Sequence, residues 1–285
     1  MKIGIGPYYF KNYPGREGAE RMKRHGFDSV DFDWYANTEN ELYLGRTEAE
    51  FIENTKAWKK KFDDAGYTVH QIHGPWRMPE DETEEKRAER FEKMSKCLLA
   101  CSVFGVKYMA IHPIMPFGVE KHTPDEEREL YRINKDFFTR LAAVGEWYGV
   151  TVCLENMPFP SFPLASVTAI LALVKEIDSP YLRMCLDTGH ANIVPPAAAE
   201  SVRILGKEYL KIMHVHDNMG VNDTHHNPYD GTIDWEDFSA ALKEIGFDGV
   251  MSLETSMKAK YDSEEQREAL EIELAQKAKK IAGRC

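Results

Sequence analysis

The sequence predicts an α/β protein, a (β/α)8 or TIM barrel forming one domain over residues 1–285. Three observations predict it: eight strand-like segments each precede a helical pattern, six of them end in a metal-binding side chain, and no GxGxxG follows any strand. The six segments are VHQIH, YMAIH, TVCLE, MCLD, KIMH and GVMSLE, ending in His73, His112, Glu155, Asp187, His214 and Glu254. A closed ring of parallel strands brings such C-terminal ends to one mouth, whereas a doubly wound sheet would be expected to show a glycine-rich dinucleotide turn.

In chain order, strands are expected at 2–6, 29–34, 68–73, 107–112, 150–155, 182–187, 210–216 and 249–254. Helical periodicity fills 15–25, 47–65, 83–104, 124–148, 164–177, 197–206, 234–245 and 263–282. Thr47 followed by Glu50 has the spacing of a capping box, and Asp234 precedes Trp235 as an N-cap. Because strand side chains alternate between faces, Cys153 with Glu155, Cys185 with Asp187, Ser252 with Glu254, and His214 with His216 should face the interior. Val152, Leu154, Met184, Leu186, Met213, Val215, Met251 and Leu253 should then pack on helices. His70 has the opposite parity to His73 and reads as a core or interface histidine.

Length agrees with one barrel, for which about 250 residues is typical. The 43% hydrophobic content supplies a large core. A mean hydropathy of -0.49 and no apolar run near the ~18 residues of a membrane span predict a soluble protein without a membrane partner. Met1 leads directly into the strand-like KIGIG, so no leader is expected and the cytoplasm is the expected compartment. Cys97, Cys101, Cys153, Cys185 and Cys285 are odd in number and lack a CxxC pair, which predicts reduced thiols; Cys97 and Cys101 are expected to pack within a helix. The net charge of -11 argues against a nucleic-acid partner, whose backbone is bound by Lys and Arg. Helices on the outside leave room for a homo-oligomer without specifying one.

Glu155, Asp187, His214 and Glu254 facing one interior would repel or desolvate one another without a compensating cation. Mixed carboxylate and imidazole donors suit a divalent metal such as Zn, Mn, Mg or Co. The motifs LEN at 154–156, CLDTGH at 185–190, HVHDN at 214–218, DGTIDW at 230–235 and LET at 253–255, in this order and spacing, resemble the xylose isomerase-like TIM barrels. That family includes sugar phosphate isomerases and epimerases, ketose 3-epimerases and a branch of apurinic endonucleases. The resemblance covers most of the chain. It implies that Glu155, Asp187, His214 and Glu254 bind one catalytic metal, that Glu155 and Glu254 also act as base and acid, and that His190 lies near the substrate. The endonuclease branch implies three zinc sites: His73, His112 and Glu155; Glu155, Asp187, His214 and Glu254; His190, Asp223 and His225.

The segment DNMGVNDTHHNPYDGTID carries four aspartates and no Lys or Arg, unlike a DNA-binding loop. Tyr8, Phe10, Trp34, Trp76, Phe117, Phe159 and Phe162 sit in strand-end loops and could wall off a small dry pocket. The expected activity is therefore metal-dependent isomerisation or epimerisation of a small-molecule sugar or sugar phosphate, by proton transfer through an enediolate held at the cation. A zinc phosphodiesterase of the apurinic endonuclease type and a polyol dehydratase or lyase stay open. Asp31 or Asp33 could hydrogen-bond the far end of the sugar, and Arg77, Lys258 or Lys260 could meet a phosphate. Asp217 is expected to orient a ligand histidine or to cap its turn.

Overall fold

A computed structural model describes residues 1–13, 15–33, 47–75, 83–255 and 262–284. Trp34, Trp76, Arg77, Lys258, Lys260 and Cys285 lie outside the described residues. Eight parallel strands close into a ring: β1 Lys2–Ile5, β2 Ser29–Phe32, β3 Val69–His73, β4 Tyr108–Ile111, β5 Thr151–Glu155, β6 Leu182–Asp187, β7 Leu210–Val215 and β8 Val250–Leu253, with β8 pairing back to β1. The main outer helices are α2 Gly15–His25, α3 Glu48–Ala65, α4 Glu84–Phe104, α5 Pro124–Tyr148, α6 Val167–Ile177, α8 Ala198–Tyr209, α9 Trp235–Glu244 and α10 Glu264–Ile281. Two short helices were not foreseen: α1 Tyr8–Asn12 and α7 Thr188–Ile193.

The starts are built from the residues that predict them. Thr47 and Glu50 form a reciprocal capping box, Thr123 and Glu126 form a second ahead of Pro124, and Asp234 caps α9 through the Asp237 amide. Each such cap contributes about 0.5–2 kcal/mol. The helix predicted over 164–177 begins at Val167, after its cap Ser166. The one predicted over 197–206 continues to Tyr209 across a break at Gly206, whose φ of 57° a glycine accommodates.

Alternation along the strands divides the interior as expected. Val152, Leu154, Met184, Leu186, Met213, Val215, Met251 and Leu253 join the large core between barrel and helices. Ala110, Cys153, Cys185 and Ile212 form a separate buried cluster inside the ring. Cys97, Cys101, Cys153 and Cys185 are free and buried. His70 departs from the parity reading. Val69 and Gln71 pair with the consecutive residues Val30 and Asp31, so His70 is the extra residue of a bulge. Its ring turns against inward-facing Gly4, where a Cβ would stand 2.5 Å from the imidazole Cε1. No helix among the described residues is long and apolar enough to cross a membrane.

Candidate metal centre

The C-terminal strand ends converge. Glu155, the last residue of β5, is the hub: its Oε1 lies 2.9 Å from His214 Nδ1 and its Oε2 lies 3.5 Å from the Nε2 atoms of both His73 and His112. His214 Nδ1 also stands 3.2 Å from Glu254 Oε2. One donor atom each from Glu155, Asp187, His214 and Glu254 fits within a span of 4.8 Å, as do donors from His73, Glu155 and His214. Beside them, Asp223 Oδ2 lies 3.2 Å from the Nε2 atoms of both His190 and His225. All nine residues singled out in the sequence thus sit around one mouth.

Backbone and carboxylate contacts aim the imidazoles. His73 Nδ1 donates to the Gly74 carbonyl at 2.8 Å, His190 Nδ1 to the Asn156 carbonyl at 2.6 Å and His225 Nδ1 to the Glu254 carbonyl at 2.7 Å. A carbonyl only accepts, so each ring turns Nε2 toward the carboxylates. His214 is reversed: Nε2 faces Asp31 Oδ2 at 3.2 Å and Nδ1 faces the two glutamates. Asp31 also accepts from the Gln71 amide at 2.7 Å, so it supports His214 from within the barrel and not the far end of a ligand. Metal-ligating histidines are commonly oriented through their second nitrogen in this way. The buried Glu155 Oε2 makes no hydrogen bond of ordinary geometry. A carboxylate oxygen left so, with imidazole nitrogens aimed at it, fits a divalent cation.

Asp187 shows how the local sequence builds the site. It ends β6, caps α7 by accepting the His190 amide on Oδ1 at 2.7 Å, and meets His216 Nε2 through Oδ2 at 3.0 Å. Asn156 clamps the strand ends, donating to the Asp187 carbonyl at 3.0 Å and accepting from its amide at 2.8 Å. The Thr188 hydroxyl donates to the His216 carbonyl and accepts from its amide. Gly189 is required because a Cβ there would lie 1.9 Å from His216 Cε1. His216, fully buried, stacks on His225 with ring centroids 4.0 Å apart and so connects the two ligand groups. Sequence reasoning placed His216 in the interior but gave it no role. CLDTGH and HVHDN contained the signal, since Asp187, Thr188, Gly189 and His216 interlock between them. Asp217 holds its loop: it accepts from Trp235 Nε1 at 2.8 Å and the Asn218 amide at 2.9 Å, which settles its role as a turn anchor.

The electrostatics follow from this crowding. Burial alone would raise Glu155, but His214, His112 and His73 outweigh it and hold the carboxyl well below the usual range. Burial raises Glu254, with Glu155 and Asp187 adding to it against the pull of His214. Burial opposes the charged form of His190, yet Asp187, Asp223 and Glu155 push its pKa up to about 10. His225 rises to about 9 because Asp223 and Glu254 overcome the same burial cost. His112 moves the other way, as burial outweighs its attraction to Glu155.

Above this cluster is a cavity of about 520 Å³. Met115, Met157, Pro158 and Phe159 form the apolar part of its lining, and Asp33, paired with Lys11 at 3.0 Å, also lines it. Phe159 therefore lines the cavity as expected. Tyr8 and Phe10 do not: Tyr8 donates to buried Glu271, and Phe10 stacks on Phe62 of α3 at 4.5 Å. Phe162 is buried in the core, and Phe117 is 42% exposed.

A full-length relative is an uncharacterized protein of Methanocaldococcus jannaschii, 25% identical over 98% of this chain and 94% of its own. An inosose isomerase of Bacillus subtilis is 26% identical over 54% of this chain and 55% of its own. Among solved structures, a D-tagatose 3-epimerase-like protein superposes with a TM-score of 0.73 at 24% identity, covering 99% of this chain and 98% of that one. The IOLI protein with a bound zinc atom gives 0.72 at 21%, covering 99% and 96%. These likenesses share the closed barrel, and the model of one family spans residues 19–276, nearly the whole ring with its ligand-bearing strand ends. The chain belongs to the xylose isomerase-like TIM barrel family.

Proposed function

We propose that this protein is a divalent-metal-dependent isomerase or epimerase of a small sugar. The observation that carries the proposal is the pair Glu155 and Glu254: both border one candidate metal group, but their environments differ. The Glu155 side chain is 2% exposed and encircled by imidazoles, whereas that of Glu254 is 40% exposed and lines the cavity. Opposed environments of this kind separate a carboxylate that stays charged from one that can carry a proton. The relatives named for sugar epimerisation and inosose isomerisation support the same class.

Glu155, Asp187, His214 and Glu254 would hold the metal, which supplies polarisation of a carbonyl and acidification of the neighbouring C–H. Glu254, open to the cavity, takes or returns the proton on its side, and Glu155 serves the opposite side of the ligand. Returning the proton to the other face gives an epimer; returning it to the adjacent carbon gives an isomer. His190, at the cavity wall with Nε2 toward Asp223, is placed to hold a hydroxyl. The apolar lining of Met115, Met157 and Phe159 excludes water. Glu254→Gln keeps the shape and removes the titrating group. On a panel of ketoses and inososes its turnover should fall by about 10²–10⁴-fold, with folding intact; unchanged turnover would reject the role.

One observation favours a second reading. His73, His112, Asp223 and His225 also converge with their nitrogens and oxygens aimed inward, a set large enough for more than one metal, as in the phosphodiesterase branch. Elemental analysis separates the two. About one exchangeable divalent ion per chain supports the sugar reading, and close to three zinc ions would favour phosphodiester hydrolysis.

A further inference from the structure

The barrel has a second opening, at the N-terminal ends of its strands. A cavity of about 310 Å³ there is lined by His70, Lys107, Tyr108, Lys207, Lys211 and Asp248 among others. The cluster of Ala110, Cys153, Cys185 and Ile212 lies buried inside the ring between this opening and the strand ends that carry the metal ligands. It is a separate compartment.

Its character is set by two breaks in strand register. In β3, His70 is the extra residue between Val69 and Gln71, which pair with consecutive Val30 and Asp31. In β7, Lys211 is the extra residue between Leu210 and Ile212, which pair with consecutive Met184 and Cys185. The two strands face each other across the ring, being four staves apart in a closed order of eight. Bulges re-aim side chains, and here each brings a nitrogen base to the same opening.

The charges at this mouth are not balanced. Lys207 pairs with Asp248 at 2.9 Å, but among the described residues Lys107 and Lys211, which also line the opening, have no carboxylate within ion-pair distance. Lys211 donates to the Lys207 carbonyl at 2.9 Å, and burial together with nearby Arg183 disfavours its charged form, with Glu208 opposing more weakly. The His70 ring nitrogens are shielded from water and make no hydrogen bond of ordinary geometry. Burial, against the pull of Asp31, lowers His70 to about 4, so at neutral pH it adds no charge to the opening. Three lysines against the single carboxylate of Asp248 among the lining residues, on a chain whose net charge is -11, make a local positive potential of the kind that recruits anions.

We propose that the N-terminal mouth binds one phosphate-type oxyanion, either inorganic phosphate or the phosphate end of a monoester, against Lys107 and Lys211. Several ammonium donors around one small space match a dianion with three acceptor oxygens better than a single carboxylate. The site is independent of the reaction proposed above.

The test is calorimetric titration of the full-length, metal-loaded protein at constant ionic strength, with inorganic phosphate and, separately, with ribose 5-phosphate. Lys211→Met should weaken binding by at least about tenfold. Exposed Lys107→Met, which does not depend on the core for folding, should weaken it in the same direction. Asp187→Asn, at the other end of the barrel, should leave it unchanged. Equal affinity for the two probes identifies free phosphate as the ligand, and much tighter binding of ribose 5-phosphate that Lys211→Met weakens and Asp187→Asn retains identifies a monoester. Absence of saturable binding to the wild type overturns the proposal. So does binding that Asp187→Asn removes and Lys107→Met and Lys211→Met retain, because the anion would then sit at the metal centre.

Discussion

His190 and His225 hold protons that a cation would have to displace. Burial works against those protons, but Asp187 and Asp223 hold the first up to about 10, and Asp223 with Glu254 holds the second up to about 9. An unfolded histidine titrates near about 6.5. The folded, metal-free protein therefore binds more protons than the unfolded chain between about 6.5 and 10, and the stability these groups contribute is full below that window and lost as pH rises through it. Metal-free protein should lose thermal stability from pH 7 to pH 10, while metal affinity should climb over the same range as the ligands deprotonate. Melting curves with and without a chelator check both; a flat metal-free profile would contradict them. Gly189 offers a second test at this scale. A methyl there would meet His216 at 1.9 Å, so Gly189→Ala should destabilise the fold by about 1–3 kcal/mol and lower metal content by displacing the ring that touches Asp187. A variant as stable and as metal-rich as the wild type would refute the link.

Elements with long periodic patterns were legible in the sequence, and short or irregular ones were not. Helices such as α5, with Pro124 at its start and Gly149 after its end, carry their own boundaries. Helices α1 and α7, of five and six residues, are too short to show a period; α7 exists because Asp187 caps it and Gly189 lets His216 pack against it. The bulges in β3 and β7 left no mark either, since an inserted residue shifts parity without any special residue type, and this is why His70, its ring nitrogens buried as expected, turns toward Gly4 against its parity. The aromatic residues after β1 were placed toward the cavity because loop position alone does not tell which layer a ring joins. Tyr8 instead donates to Glu271 of α10 at 2.9 Å, as does Tyr13 at 2.6 Å, and Arg21 of α2 meets the same carboxylate at 2.6 Å. This buried carboxylate ties α1 and α2, which follow the first strand, to α10, which follows the last. Removing one partner of a buried ion pair costs about 3–5 kcal/mol, so Glu271→Ala should lower the denaturant midpoint by that equivalent at unchanged m-value. A loss within the range of an exposed pair would show that the network does not hold the ring together.

At the scale of the whole molecule, one rule made the candidate centre readable: in a closed parallel barrel, the last inward residue of each strand reaches a common mouth. Six strand ends supplied His73, His112, Glu155, Asp187, His214 and Glu254, and the ring gathered them although they span 182 positions of sequence, from 73 to 254. What stayed hidden were the supports, Asp31 behind His214 and His216 between Asp187 and His225, because their roles depend on distances across strands and not on spacing along one. The same architecture isolates the metal-lined mouth from the basic one beneath it, so chemistry at one end should be insensitive to ligands that act only through charge at the other. The central claim, proton transfer at a sugar carbon between Glu155 and Glu254, is tested most directly by incubating the metal-loaded protein with candidate ketoses in deuterium oxide and following the C–H signals by proton NMR. The account predicts loss of one signal, at the carbon beside the carbonyl, as deuterium enters from solvent, and no conversion to the epimer or isomer with Glu254→Gln. Conversion of a ketose with no deuterium uptake, or conversion that survives in Glu254→Gln, would contradict it.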